Sequence, residues 1–81
     1  MPEETLTSEQ IAQHYSAAED SVTLINELVA LSERDDEQVD TVRRNVEHLE
    51  IMVAKDFWTD AQDLAPLNAA ITAGTAVLPA E

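Results

Sequence analysis

The side chains most able to do chemistry in this chain are two histidines, His14 and His48, and seventeen acids. A helical metal site needs a second ligand three or four residues from a histidine, on the same face. The positions at those distances from either histidine hold no carboxylate and no second imidazole. We therefore expect surface or boundary histidines, with no metal and no cofactor. A metal held through tertiary contacts is the remaining alternative.

Two acidic stretches have the carboxylate density of a calcium-binding loop, "DDEQVD" at 35–40 and "DFWTDAQD" at 56–63. Neither has the central glycine that the sharp turn of such a loop requires. Helix capping explains the first stretch better, because carboxylates are favoured over the first turn of a helix. The second stretch is better explained as a turn.

Nucleophilic catalysis and phosphate binding have no matching pattern in this sequence. There is no cysteine, no glycine-rich loop and no nucleophile elbow. A pair of carboxylates for acid–base chemistry would need a cleft, for which a small helical domain has little room. The serines occur in helical or capping contexts without a histidine and an acid in evident register; they are Ser8, Ser16, Ser21 and Ser32. We therefore predict a protein that is not an enzyme.

The charge balance is strongly negative, with four Lys and Arg against seventeen Asp and Glu and a formal net charge of −13. Phosphate backbones and anionic membranes are bound through basic patches, so we expect no direct binding to nucleic acid or membrane. The basic doublet Arg43–Arg44 is explained by helix-surface ion pairs, Arg43 with Glu47 and Arg44 with Asp40. The acidic surface either provides solubility or attracts a basic partner.

Length and composition indicate one domain, residues 1–81, with an apolar share of 44%. One glycine and three prolines provide little turn chemistry for a sheet. No apolar run approaches the ~20 residues of a membrane span. The acidic start "MPEET" is unlike a signal peptide. These features predict a soluble intracellular protein that is not secreted by a signal peptide.

The first predicted helix covers about residues 8–33 and opens at "TSEQ", which reads as a capping box between Thr7 and Gln10. Apolar residues recur along it at spacings of three and four, which is typical of an amphipathic helix. Two neighbouring stripes make about half of its circumference apolar. They comprise Ile11, Tyr15, Ala18, Val22, Ile25 and Val29, and Ala17, Leu24, Leu28 and Leu31. We expect this helix to be central and buried against both others.

The second predicted helix covers about residues 36–57 and packs through a seam of Val39, Val42, Val46, Leu49 and Val53. The short connection before it predicts an antiparallel hairpin. A tight turn of helix is expected at 60–64, with Thr59 as its cap, before a shorter third helix over about 66–78. Gly74 is either the C-cap of that helix or a point of close approach. The predicted fold is an all-α three-helix bundle.

Ile51 projects to the side of the second helix opposite its seam. A helix that continues to Trp58 places the indole on that same side. One interpretation is that the third helix folds back and covers these residues. The other is that a protein partner or a second copy docks there, since tryptophan is enriched in binding hot spots. The second predicted helix, about residues 36–57, is called α2, and its candidate binding residues are named the α2 patch; they are Ile51, Trp58, Arg44, His48 and Lys55.

The stretch "RRNVEHLEIMVAKDFWTDAQDLAPLNAAITAG" resembles the C-terminal half of small, mostly uncharacterised proteins of tailed bacteriophages, notably marine and cyanobacterial phages. Those proteins contain a similar Arg-Asn-Val-(Glu/Asp)-His-Leu segment, a Trp-Thr turn and a proline-started, alanine-rich helix ending in Ala-Gly. The resemblance covers about residues 43–78. Ala65 precedes Pro66 where a capping threonine is more usual. The resemblance implies a viral, non-catalytic protein located in the virion or in the host cytoplasm.

Two functions therefore remain as the main hypotheses. The first is a protein–protein interaction or structural module, either a virion component or an accessory protein, with possible self-association. The second is an acidic inhibitor that mimics DNA and binds a basic nucleic-acid-binding protein of the host. A small enzyme or metal protein is a third hypothesis, for which the sequence contains no supporting motif.

Overall fold

The structure is a computed structural model that describes residues 6–79. It contains α1 (Ser8–Val29), α2 (Asp36–Val53) and α3 (Ala65–Val77), and this part of the chain has no strand. The predicted all-α three-helix bundle is confirmed. Each helix packs against both others, so α1 is buried against two neighbours but is not central. The acidic start at 1–5, which bears on the signal-peptide prediction, lies outside the described residues.

Reciprocal capping boxes begin the first two helices. The box at Thr7 is predicted from the sequence, whereas for α2 the sequence predicts only capping by carboxylates. The Thr7 side chain accepts a hydrogen bond from the Gln10 amide at 3.1 Å, and the Gln10 side chain accepts one from the Thr7 amide at 2.9 Å. Asp35 and Gln38 make the same pair of bonds at 2.8 and 2.9 Å. These bonds satisfy backbone N–H groups that have no partner inside the helix.

The first helix ends at Val29, earlier than the predicted 33, because a side chain takes up its terminal carbonyls. Arg34 Nη1 donates to the carbonyl oxygens of Leu28, Val29 and Leu31, at 3.0, 3.3 and 2.8 Å. The last four carbonyls of a helix need partners outside it, and a basic side chain at this end also complements the helix dipole. The arginine therefore fixes both the end of α1 and the turn that follows it.

The second helix ends at Val53, also earlier than the predicted 57, because the chain folds back on its last turn. Trp58 Nε1 donates to the Met52 carbonyl at 2.8 Å, and the Lys55 amide donates to the same oxygen at 3.1 Å. Asp60 and Ala61 form a turn and Gln62 a bend, so residues 60–64 do not form the predicted turn of helix. Thr59 organises that turn, since its hydroxyl oxygen accepts a bond from the Ala61 amide at 3.2 Å.

The core lies along the line where the three helices meet. The predicted α2 seam faces it, with Val42, Val46 and Leu49 buried and Val39 and Val53 half-buried. Burial of one such side chain contributes about 1.5–3 kcal/mol. The four largest fully buried side chains come from all three helices; they are Ile25, Leu49, Leu67 and Val42.

Gly74 lies inside α3 and is a point of close approach, which decides between the two predicted roles. A Cβ at this position would lie 2.5 Å from Val46 Cγ2, 3.2 Å from Ile25 Cγ2 and 3.3 Å from Val42 Cγ1. Its backbone φ is not positive, so the glycine is not required for an unusual backbone conformation. The missing side chain is what lets α3 approach the other two helices.

The apolar half of α1 is only partly covered, which corrects the sequence prediction. Ile11, Ala18 and Ile25 are buried, whereas Leu24 is 36% exposed and Leu31 is 40% exposed. In a triangular bundle each helix contacts two neighbours over one sector, and the rest of its surface faces water. The stripe that contains Leu24 and Leu31 lies at the edge of that sector.

Candidate functional site

Phe57 and Trp58 join a cluster of four aromatic rings with His14 and Tyr15 of α1. The ring centroids of Phe57 and His14 are 5.3 Å apart, and those of Phe57 and Trp58 are 4.6 Å apart. Trp58 meets Tyr15 edge to face, with centroids 6.0 Å apart. Edge-to-face pairs at these separations are favourable. The two aromatic residues of the loop therefore contact side chains of α1, which was not expected from the sequence.

The hydroxyl group of Tyr15 also anchors the loop between α2 and α3 to α1. The phenol donates a hydrogen bond to the backbone carbonyl of Asp63 at 2.6 Å. Partial burial, followed by the negative charges of Glu19 and Asp63, raises the pKa of Tyr15 above its usual value. The hydroxyl therefore stays protonated near neutral pH and remains a hydrogen-bond donor.

The α2 patch predicted from the sequence is not assembled as a whole. Trp58 leaves it, because α2 ends at Val53 and the indole turns toward α1. Ile51 is 59% exposed, the largest fraction among the exposed large apolar residues. Arg44 stays at the surface, with its Nε 2.9 Å from a carboxylate oxygen of Asp40. Lys55 is exposed in the turn that follows α2.

His48, the fifth member of the predicted patch, bonds across the bundle to α1. Its Nδ1 lies 3.0 Å from Ser21 Oγ, and the serine is only 6% exposed. This pair was not predicted from the sequence. Ser21 lies three residues after Ala18 and four before Ile25, on the buried stripe of α1, and a buried hydroxyl group needs a hydrogen-bond partner. Its position in the sequence could therefore have indicated that a polar residue faces it.

A serine next to a histidine raises the question of nucleophilic chemistry. A nucleophile must be reached by its substrate and needs donors for the developing oxyanion. The Ser21 hydroxyl lies between two packed helices, and no pocket is found among residues 6–79. The geometry is that of an interhelical hydrogen bond, worth about 1 kcal/mol.

The acidic side chains cover the surface, while most of the bases are engaged within the chain. Every described carboxylate except that of Asp40 belongs to an exposed residue. Arg34 binds helix carbonyls, and Arg43 Nη1 lies 3.5 Å from Asp40. In the described residues, no group of three or more histidine, aspartate or glutamate side chains is placed to hold a metal ion. No helix between residues 6 and 79 has both the length and the apolar character needed to cross a membrane.

Comparison with protein-family models, curated proteins and solved structures found no match for this chain. The resemblance of residues 43–78 to phage proteins therefore stays a prediction.

Proposed function

We propose that this chain is a non-catalytic protein–protein interaction or structural module, encoded by a phage, that docks through the outer face of α2. The observation that carries the proposal is the 59% exposure of Ile51 on the side of α2 opposite its seam, whose own residues are buried or half-buried. The phage origin rests on the resemblance of residues 43–78 alone.

The surroundings of Ile51 suit a contact with another protein. Arg44 precedes Ile51 by seven residues and lies on the same face of α2, and Lys55 is exposed in the turn that follows the helix. The Arg44 side chain is 77% exposed and its position is held by Asp40. Long basic side chains cover apolar surface with their stems while the charged group stays in water. The occupant of this face is a partner protein or a second copy of the chain.

Ile51→Ser should weaken the interaction by about fivefold or more, because truncation of an anchoring apolar residue typically costs at least 1 kcal/mol. Immobilised wild-type and variant chains would be compared for the proteins that they retain from an extract of the source cells. Sedimentation velocity from about 10 to 500 μM would measure self-association of the same two chains. Equal retention by both chains, with both sedimenting as monomers, would refute docking through Ile51.

An acidic mimic of DNA is the second candidate, favoured by the exposure of nearly all described carboxylates. The bound protein would then carry a basic nucleic-acid groove, and the complex would weaken steeply with added salt. Duplex DNA should release such a protein from the immobilised chain at constant ionic strength. A retained protein that duplex DNA does not displace would exclude this alternative.

A further inference from the structure

Two leucines of α1 and one in the turn that follows it form a second apolar surface, separate from Ile51. Leu24 and Leu28 are four residues apart and share one face of α1, and the Leu31 amide bonds to the Leu28 carbonyl just beyond the end of the helix. Leu24 is 36% exposed, Leu31 is 40% exposed and Leu28 is half-buried. These three residues are named the α1 ridge.

Negative charge flanks the α1 ridge along its length. Asp20 and Glu27 lie four residues before and three residues after Leu24 on α1. Both carboxylates belong to exposed residues, as does that of Glu33 just beyond the ridge. The ridge is therefore an apolar line bordered by acids on one side.

Arg34 is the base closest in sequence to the ridge, and its guanidinium is directed at the backbone. Its Nη1 donates to the carbonyl of Leu28, in the last turn of α1, and to that of Leu31, just beyond the helix. These bonds, together with the Leu31 amide bonded to the Leu28 carbonyl at 3.3 Å, hold the last leucine in a defined turn. A surface that is already ordered loses less entropy on binding.

We propose that the α1 ridge binds a basic amphipathic helix of a partner protein. The apolar stripe of such a helix repeats at three and four residues, so it can lie along Leu24 and Leu28 and reach Leu31 beyond the end of α1. Its flanking lysines and arginines would meet Asp20, Glu27 and Glu33. The proposal rests on the proposed interaction function but uses a different surface from Ile51.

Charge selects this occupant over a second copy of the chain. Each copy carries a formal net charge of −13, so two copies repel one another on approach. A basic helix is instead attracted to this negatively charged chain, and the attraction brings its apolar stripe to the ridge. Electrostatic complementarity of this kind speeds association and disfavours partners of the wrong charge.

The test uses a synthetic 18-residue peptide with leucines at helical spacing on one face and lysines elsewhere. Isothermal titration calorimetry in about 50 mM salt should show saturable one-to-one binding to the wild-type chain. The double variant Leu24→Ser, Leu31→Ser should bind the peptide about tenfold more weakly, as expected for loss of two anchoring contacts. Ile51→Ser is the matched control and should bind within about twofold of wild type, because Ile51 lies outside the ridge.

Two further measurements separate the charged part of the interaction from the apolar part. Asp20→Asn with Glu27→Gln should weaken binding several-fold in low salt and leave the leucines in place, so this variant also serves if the serine variant fails to fold. A peptide of the same composition with scrambled leucines should bind much more weakly than the amphipathic one.

Three outcomes would overturn the assignment of the ridge. They are a wild-type chain that does not bind the amphipathic peptide, equal binding of the scrambled peptide, and unchanged affinity of the double leucine variant. Loss of binding in Ile51→Ser alone would move the contact to α2, which contradicts the ridge but supports the function proposed above. Failure of the Ile51 experiment alone would leave the ridge result intact.

Discussion

Gly74→Ala is expected to destabilise the bundle by about 1–3 kcal/mol, because the added methyl group has no space. Its Cβ would lie 2.5 Å from Val46 Cγ2 and within 3.3 Å of methyl groups of Ile25 and Val42. Val46 is buried and β-branched, so in a helix it has few rotamers with which to move aside. Urea unfolding followed by circular dichroism would measure the change in unfolding free energy.

The sign of this effect is informative, since alanine is intrinsically better than glycine inside a helix by about 1 kcal/mol. A helix with free space at residue 74 would therefore be stabilised by the substitution. Ala69→Gly, at an exposed position of the same helix, measures the propensity difference without a packing change. A stabilised Gly74→Ala variant would show that α3 does not approach Val46 as closely as the structure places it.

A compensating substitution tests whether the contact with Val46 is the cause. Val46→Ala removes the methyl group that the new Cβ would meet, and alone it should cost about 2 kcal/mol by leaving a cavity. The double variant should then be more stable than the sum of the two single effects predicts, by about 0.5–3 kcal/mol, as for residues in direct contact. Additive effects would place the strain at Ile25 or Val42 instead.

The starts of the first two helices were predictable because their signals are local. Thr7 with Gln10, and Asp35 with Gln38, carry the whole capping interaction within four consecutive residues. The apolar period of α2 likewise follows from spacing alone, and Val42, Val46 and Leu49 are buried as predicted. These features need no knowledge of how the helices are arranged in space.

The ends of the same helices were not predictable, because they depend on residues that return from further along the chain. Arg34 bonds back over five and six residues to the carbonyls of Val29 and Leu28. Trp58 does the same over six residues to Met52. Helical periodicity continues through both ends in the sequence, so the pattern alone predicts helices that are about four residues too long.

The candidate site was likewise predictable only where its features depend on local sequence. Ile51 was correctly predicted to lie off the α2 seam, since its direction follows from the helix period. The pairing of Ser21 with His48, across a separation of 27 residues, depends on the register between α1 and α2. The sequence also did not show that Leu24 and Leu31 would lie beyond the reach of α2 and α3, because only the packed bundle decides which stripe is covered.

Trp58→Ala should lower the unfolding free energy by about 2–4 kcal/mol, a large effect for a half-buried residue. The substitution removes the hydrogen bond to the Met52 carbonyl and the ring contacts with Phe57 and Tyr15. It also frees the loop after α2 from one of its attachments to α1, leaving the ring contact of Phe57 with His14 and the bond from Tyr15 to Asp63. Circular dichroism during urea unfolding is the suitable measurement, because the substitution removes the single tryptophan.

Trp58→Phe distinguishes the contribution of the aromatic ring to stability from that of the indole N–H group. It keeps one aromatic ring but removes the donor to Met52 and part of the ring surface; the Met52 carbonyl still accepts a bond from the Lys55 amide at 3.1 Å. The expected loss is therefore about 1 kcal/mol. Ile51→Ala is the surface control and should change stability by less than about 0.5 kcal/mol. If Trp58→Ala were as mild as that control, the indole would contribute nothing within the monomer. Trp58 would then return to the α2 patch as a residue available to a partner.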